Sequence, residues 1–297
     1  MEPFVTFLDE IRPAIDQTLD RLLPSPELAP AKLHEAIRYS ALAGGKRVRP
    51  ALTVLTADVL GLPRAVALPG GAALEMLHTY SLIHDDLPAL DDDDLRRGRA
   101  TLHRRYDEAT AILAGDALLT LGLTTLASEP AEASSEQRRR TVELVGRAIG
   151  TLGMIGGQAD DLAAEQDWPE DAPAALEAIH RRKTGDLLVV SLRLAGVYAG
   201  VDEATDRRLR ELGERIGLMF QIADDILDVE GTDSTLGKTA GKDAAARKLT
   251  YPGLFGLADS KRMLDQTRQE ALDIAHGLPQ QGGLFPSLIH YLQTRDR

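Results

Sequence analysis

The 297-residue chain has no cysteine, which removes disulfides, thiolate metal sites and cysteine nucleophiles from consideration. Aromatic residues make up only 4%, and alternating polar and apolar runs between turn signals are hard to find, so a strand-rich fold is disfavoured. Positive charge is in short supply. There are 34 Lys and Arg against 46 Asp and Glu, a formal net charge of −12, the wrong sign for a bulk nucleic-acid binder. No apolar run approaches the ~18–20 residues of a membrane span; the stretch from Leu187 to Gly200 is interrupted by Arg193. The opening MEPFVTFLDEIRPAIDQ is acidic and amphipathic, unlike a signal or transit peptide, so a soluble cytoplasmic protein is expected. Hydrophobic residues at 43% and charged residues at 27% are globular values.

Helical periodicity is plentiful. Leu209, Leu212, Ile216, Met219, Ala223 and Ile226 recur every three or four residues and predict one apolar helix face. Leu74, Leu77, Tyr80 and Leu87 belong to a second apolar-rich stretch, and Asp186 to Tyr198 is apolar nearly all round, as in a helix buried within a bundle. Short punctuation at Pro24-Ser25-Pro26, Gly61-Leu62-Pro63, Ser128-Glu129-Pro130, Trp168-Pro169 and Gly200 separates the helices. With no linker or repeat, one all-α domain over 1–297 is predicted. The one long irregular segment is 229–248, with three glycines and three lysines; such loops in a compact domain are usually functional.

The acidity is local. Six of the ten residues from Asp85 to Asp94 are Asp, and FQIADDILD adds Asp224, Asp225 and Asp228. Without these nine, 37 acids would face 34 bases. On a helix, Asp224 and Asp228 share a face, with Gln221 on the same stripe. Glu75, His78, Ser81 and Asp85 form another polar stripe, and Pro88 is expected to distort that helix and bring Asp91 back toward Asp85. Two helices would then aim carboxylates at a shared cavity, which is costly without cations. An all-oxygen ligand set favours a hard cation such as Mg²⁺, completed by waters and a substrate phosphate.

Bases accompany the acids. Lys46 and Arg49 lie in GGKRVRP, Arg96 and Arg97 follow the first Asp run, and His78 precedes Asp85 by two turns. Lys183-Thr184 and the loop lysines Lys238 and Lys242 come later. Arginine forks and lysine charges suit diphosphate. There is no G-x-x-x-x-G-K-[ST] loop and no G-x-S-x-G elbow, so nucleotide-loop and serine-hydrolase chemistry are excluded. Each feature alone has an ordinary reading, as a helix cap, a solvated turn or a packed histidine. Two acidic clusters with dedicated bases on a helical scaffold point instead to metal–diphosphate chemistry.

In this order GGKRVRP, EMLHTYSLIHDDLPALDDDDLRRG, AILAGDALL, GGQADDL, RRKTGDLL, FQIADDILD and GKTAGKD cover about residues 30–250. The chain thereby resembles the trans-polyprenyl diphosphate synthases, and most closely the bacterial farnesyl diphosphate synthases. Ala100 departs from the proline common in that family's RRGxPT. The resemblance implies an all-helical prenyltransferase bundle around a deep central cavity, usually a homodimer, that joins isopentenyl diphosphate to an allylic diphosphate. It also implies that Asp85 and Asp91 bind two Mg²⁺ ions and Asp224 a third. Arg96, Lys183 and Lys238 would hold the allylic diphosphate, with Thr184 and Gln221 at its reacting end. Lys46, Arg49, His78 and Arg97 would hold isopentenyl diphosphate, and Asp86, Asp225 and Asp228 would support. Tyr80, about 7.5 Å below Asp85 at ~1.5 Å per residue, would floor the pocket beside Ser81 and limit the product to fifteen carbons. Alternatives are a geranyl or geranylgeranyl diphosphate synthase, a terpene cyclase, a non-catalytic subunit or an acidic Ca²⁺-binding protein.

Overall fold

Two helices have almost no polar face, and they form the centre. In α3 (Val48–Leu60) and α10 (Asp186–Ala199) buried residues occur on every side, as happens when a helix is surrounded by others. The two pack together, with α4 (Arg64–Asp85) against both and α11 (Glu203–Glu230) along α10. All six residues predicted for the apolar face of α11 are buried. The computed structural model describes residues 2–230 and 249–294.

Amphipathic helices wrap this centre. The N-terminal α1 (Pro3–Leu22) lies on α3 and α4, and α2 (Ala31–Ala41) lies on α4 and α6 (Glu108–Ser128). Helix α7 (Ser135–Ile149) covers α6 and α10, and opens with a capping box in which Ser134 and Gln137 exchange hydrogen bonds. Beyond α11, the short α12 (Tyr251–Phe255), α13 (Leu257–His276) and α14 (Phe285–Thr294) close the far side. One contiguous apolar cluster extends from Phe4 to Leu292.

The remaining elements present polar groups to one end of the bundle. Helix α8 (Met154–Gln166) is followed by α9 (Ala172–His180), a π-helical turn at Arg181–Gly185, and then α10 without a break. π-turns inside helices concentrate at functional sites, and this one carries Lys183 and Thr184. Four-residue α5 (Leu102–Arg105) follows the first Asp run.

The all-α fold stands, with one added detail and two corrections among the described residues. The all-α fold includes one minimal hairpin, β1 (Leu95–Arg96) with β2 (Arg99–Ala100), turned through Arg97 and Gly98, both at positive φ; two-residue strands are too short to show alternation. Helix α11 continues through Val229 and Glu230, so irregular chain does not begin at 229; Lys238 and Lys242 lie outside the described residues. Finally, α6 is long and apolar enough, by length and composition, to cross a membrane, although the sequence reading found no such run. Asp116 and several threonines interrupt it without making it polar. Here one side of α6 packs on α4, while Ile112 and Leu113 are exposed.

Candidate active site

Helix α4 ends at Asp85, and Pro88 lies in the turn beyond it rather than distorting the helix. The chain then doubles back: the Asp91 amide donates to the Asp85 carbonyl at 2.9 Å, and the Leu90 amide donates to Leu87 at 2.9 Å. Asp91 is thereby returned to Asp85, as expected, but by a hydrogen-bonded turn and not by a kink at Pro88.

Below this turn lies a cavity of about 400 Å³ between α4, α8 and the π-turn. Arg49, His78, Asp85, Lys183 and Thr184 supply much of its polar lining, and Tyr80, Leu90, Met154, Ile155 and Leu162 much of the apolar part. Ser81 lines it too. Seven predicted residues from three separate sequence motifs therefore meet in one space. A larger open groove of about 710 Å³ between α7, α10 and α11 includes none of the predicted residues in its lining.

The electrostatics divide the charged groups into two kinds. Burial pushes the Asp85 carboxyl up to about 6; Lys183 opposes this and Asp91 adds to it. Burial, and then the charge of Asp85, pushes the Tyr80 hydroxyl up to about 12. Asp86, in contrast, turns inward and accepts from Arg96 Nε at 2.9 Å. Its carboxyl is also raised by burial, against the pull of that hydrogen bond. Asp86 thus holds Arg96 beside the Asp run, with Asp93 3.4 Å from the same guanidinium.

Of the four residues expected to hold isopentenyl diphosphate, Arg49 and His78 line the cavity, whereas Lys46 and Arg97 do not. Arg97 donates to the Gly44 carbonyl, which ties the hairpin turn to the glycine loop before α3. Burial lowers Arg49 to about 10, which leaves it cationic at neutral pH. His78 is held well below the ordinary imidazole range, first by desolvation and then by Arg49, Arg97, Arg96 and Arg47. At neutral pH His78 is an uncharged imidazole that can donate one N–H to an anion but supplies no charge. Lys46 is exposed on the same loop.

On α11 the Asp doublet splits between two tasks. Asp224 is half-buried. Asp225 faces the other way, 7% exposed, and accepts from the Tyr251 amide at the start of α12 at 2.9 Å. Asp228 is buried and Gln221 half-buried on the same helix. Neither Gln221 nor Asp224 lines the cavity.

Several participants were missed. Arg47, in the middle of GGKRVRP, is 2% exposed and sits at φ 51°, a left-handed conformation unusual outside glycine. It donates to Glu75 at 2.8 Å, Asp16 at 2.9 Å and the Ala41 carbonyl at 2.9 Å. The signal was present: Glu75 lies among Leu74, Met76 and Leu77, and a buried acid requires a partner. On α8, Asp160 bonds Arg182 and Asp161 bonds Lys183, each at 2.6 Å. The matched doublets Asp160-Asp161 and Arg182-Lys183 could have suggested this clamp. Gly157 makes the approach possible, because a Cβ there would lie 2.4 Å from the Lys183 amide nitrogen. Gln158 also lines the cavity, with a buried Oε1 that has no hydrogen-bond partner.

Among the described residues no three carboxylate or imidazole groups converge as a ready-made metal cage. The oxygen-only acids at Asp85 and Asp91 nevertheless fit a hard cation that takes most of its ligands from water and phosphate. Asp85's raised carboxyl reflects burial first and Asp91 in part, and a cation would relieve that crowding.

The polyprenyl synthetase family model matches residues 30–276. The chain belongs to the polyprenyl synthetase family. It is 44% identical to the farnesyl diphosphate synthase of Micrococcus luteus over 94% of each chain. It is also 44% identical to geranylgeranyl pyrophosphate synthase 7 of Arabidopsis thaliana, over 89% of this chain and 76% of that one. An apo crystal structure of a FPP/GFPP synthase from Zymomonas mobilis superposes with a TM-score of 0.87 at 33% identity, covering 98% and 99% of the two chains. This polyprenyl synthetase is thus a short-chain prenyltransferase with the all-α bundle of its relatives.

Proposed function

We propose that the protein condenses isopentenyl diphosphate head to tail with dimethylallyl and then geranyl diphosphate, with (2E,6E)-farnesyl diphosphate as its main product. The observation that carries the product length is Tyr80. Its ring is 4% exposed, lines the cavity and lies about one and a half turns before Asp85 on the same helix. The allylic chain grows away from the diphosphate and down this cavity, where the ring limits its length.

Each residue's task follows from its chemistry. Arg96, Lys183 and Lys238 hold the allylic diphosphate, with Thr184 and Gln221 beside the carbon that ionises. Asp85, Asp91 and Asp224 would hold Mg²⁺, three ions with substrate bound. Those ions would neutralise the diphosphate and make it a competent leaving group. Lys46, Arg49 and Arg97 bind the second diphosphate, and neutral His78 donates a hydrogen bond to it. Apolar side chains such as Leu162 and Met154 exclude water from the allylic cation. The isopentenyl double bond attacks that cation, and the proton lost from the adjacent carbon passes to the departing diphosphate. Asp86 and Asp225 support by holding Arg96 and α12, and Asp228, buried on α11, belongs with them as a supporting acid.

A homodimer in the cytoplasm, without nucleic-acid partners, belongs to the same proposal. The exposed apolar face at Ile112 and Leu113 on α6 supports the dimer.

The test is product analysis with Mg²⁺, isopentenyl diphosphate and each allylic primer. Farnesyl diphosphate as the main product is expected. A main product of ten or twenty carbons would overturn the length assignment, and twenty is the reading favoured by the equal similarity to geranylgeranyl synthases. No condensation at all would overturn the reaction.

A further inference from the structure

The Tyr80 ring is packed by a residue of its own helix that reaches across to α6. The Tyr80 hydroxyl is buried without a hydrogen-bond partner, so packing, not a hydrogen bond, holds the ring. Part of that packing is His84, whose imidazole meets the Tyr80 ring edge-on at 5.9 Å between centroids and 77° between planes. His84 reaches across to α6, where its Nε2 lies 3.2 Å from the Ile112 carbonyl and 4.0 Å from the Asp116 carboxylate.

The imidazole occupies the space left by a missing side chain. A Cβ on Gly115 would lie 2.2 Å from His84 Nε2, 2.6 Å from Cδ2 and 2.9 Å from Cε1. All three distances are well inside van der Waals contact. The α6 backbone stands behind the ring, so a methyl group at 115 drives His84 away from α6, toward Tyr80 and the cavity that both line.

We infer that Gly115 and His84 are specificity-determining positioning residues: Gly115 seats His84 against α6, and His84 backs Tyr80, so the pair sets how deep the product pocket is. This rests on the proposed condensation reaction. Gly115 itself touches no substrate, and it acts only through the imidazole. Enlarging residue 115 shortens the pocket, whereas removing the imidazole releases Tyr80 and deepens it.

The experiment compares products of purified wild type, Gly115→Ala, His84→Ala and the double variant, with Mg²⁺, isopentenyl diphosphate and dimethylallyl diphosphate. For Gly115→Ala the geranyl-to-farnesyl ratio should rise about tenfold, the low end of what a methyl-sized change in a pocket discriminates. The KM for geranyl diphosphate should rise while that for dimethylallyl diphosphate holds. His84→Ala should produce chains of twenty carbons or more, and the double variant should follow His84→Ala, because the methyl group then meets nothing. A general packing defect would lower turnover in all variants without moving chain length or sparing the double variant. If Gly115→Ala does not fold, the lengthening by His84→Ala still decides. Normal farnesyl production by wild type with an unchanged distribution in the soluble variants overturns this inference alone. A wild type that forms no prenyl diphosphate overturns the proposed reaction and this inference with it.

Discussion

Arg47 Nη1 donates to Glu75 Oε1 at 2.8 Å in a place shielded from water, with the two side chains 1% and 2% exposed. The pair joins the loop before α3 to the middle of α4, and Asp16 on α1 completes it. Arg47 also lies between Lys46 and Arg49 in sequence, and Glu75 one turn from His78, so the pair shapes the end of the site proposed to hold isopentenyl diphosphate.

Replacing Arg47 with Met strands a buried carboxylate. Loss of one partner from such a pair costs about 3–5 kcal/mol, which urea unfolding would measure. The double variant Arg47→Met with Glu75→Leu should recover most of that loss. Both variants should raise the KM for isopentenyl diphosphate more than that for the allylic substrate, since the flanking loop loses its anchor.

Tyr80→Ala removes the ring from the cavity and should shift the product beyond fifteen carbons. Chromatography of the dephosphorylated alcohols reads this directly. Unchanged products would discard Tyr80 as the floor.

Asp85 links metal binding to pH. Its carboxyl, pushed up to about 6 mainly by burial, is charged at neutral pH and increasingly protonated below 6. A cation binds the ionised form, so Mg²⁺ affinity should fall about tenfold per pH unit below 6. Calorimetry in two buffers should find close to one proton released near pH 5 and almost none near pH 8. The same shift has a stability consequence. The folded pKa lies above the ordinary 3.8, so ionising Asp85 weakens the metal-free fold as pH rises through that window. Asp85→Asn should therefore raise the melting temperature at pH 7 and change it little at pH 4, while abolishing condensation.

The α6 face tests the dimer. Leu113 is 55% exposed and Ile112 44%, two adjacent large apolar side chains open to water on one helix. Ile112→Asp with Leu113→Lys should shift sedimentation from dimer to monomer. A monomeric wild type would remove the dimer from the proposal.

Much of the fold was legible because its cause is local. Leu209, Leu212, Ile216, Met219, Ala223 and Ile226 had to share one face of any helix they formed, and all are buried. Glycine and proline marked the breaks between helices. The candidate site was legible in outline, because Asp and Arg clusters of such density are hard to explain otherwise. Which way each charged side chain turns was not legible. Arg47 and Arg49 stand two residues apart in one basic run, yet one is buried on Glu75 and the other lines the cavity. Asp85 and Asp86 are neighbours, but helix geometry turns one toward the cavity and the other onto Arg96.

From the sequence alone came the helical architecture, the two acidic clusters and their bases, since periodicity and composition depend only on neighbours along the chain. Tertiary structure alone decided which charges face the cavity and which neutralise one another, that His78 is uncharged, and that Gly115 makes room for His84. Those outcomes depend on distances between residues remote in sequence and on how far each is removed from water, and neither quantity is encoded in local spacing.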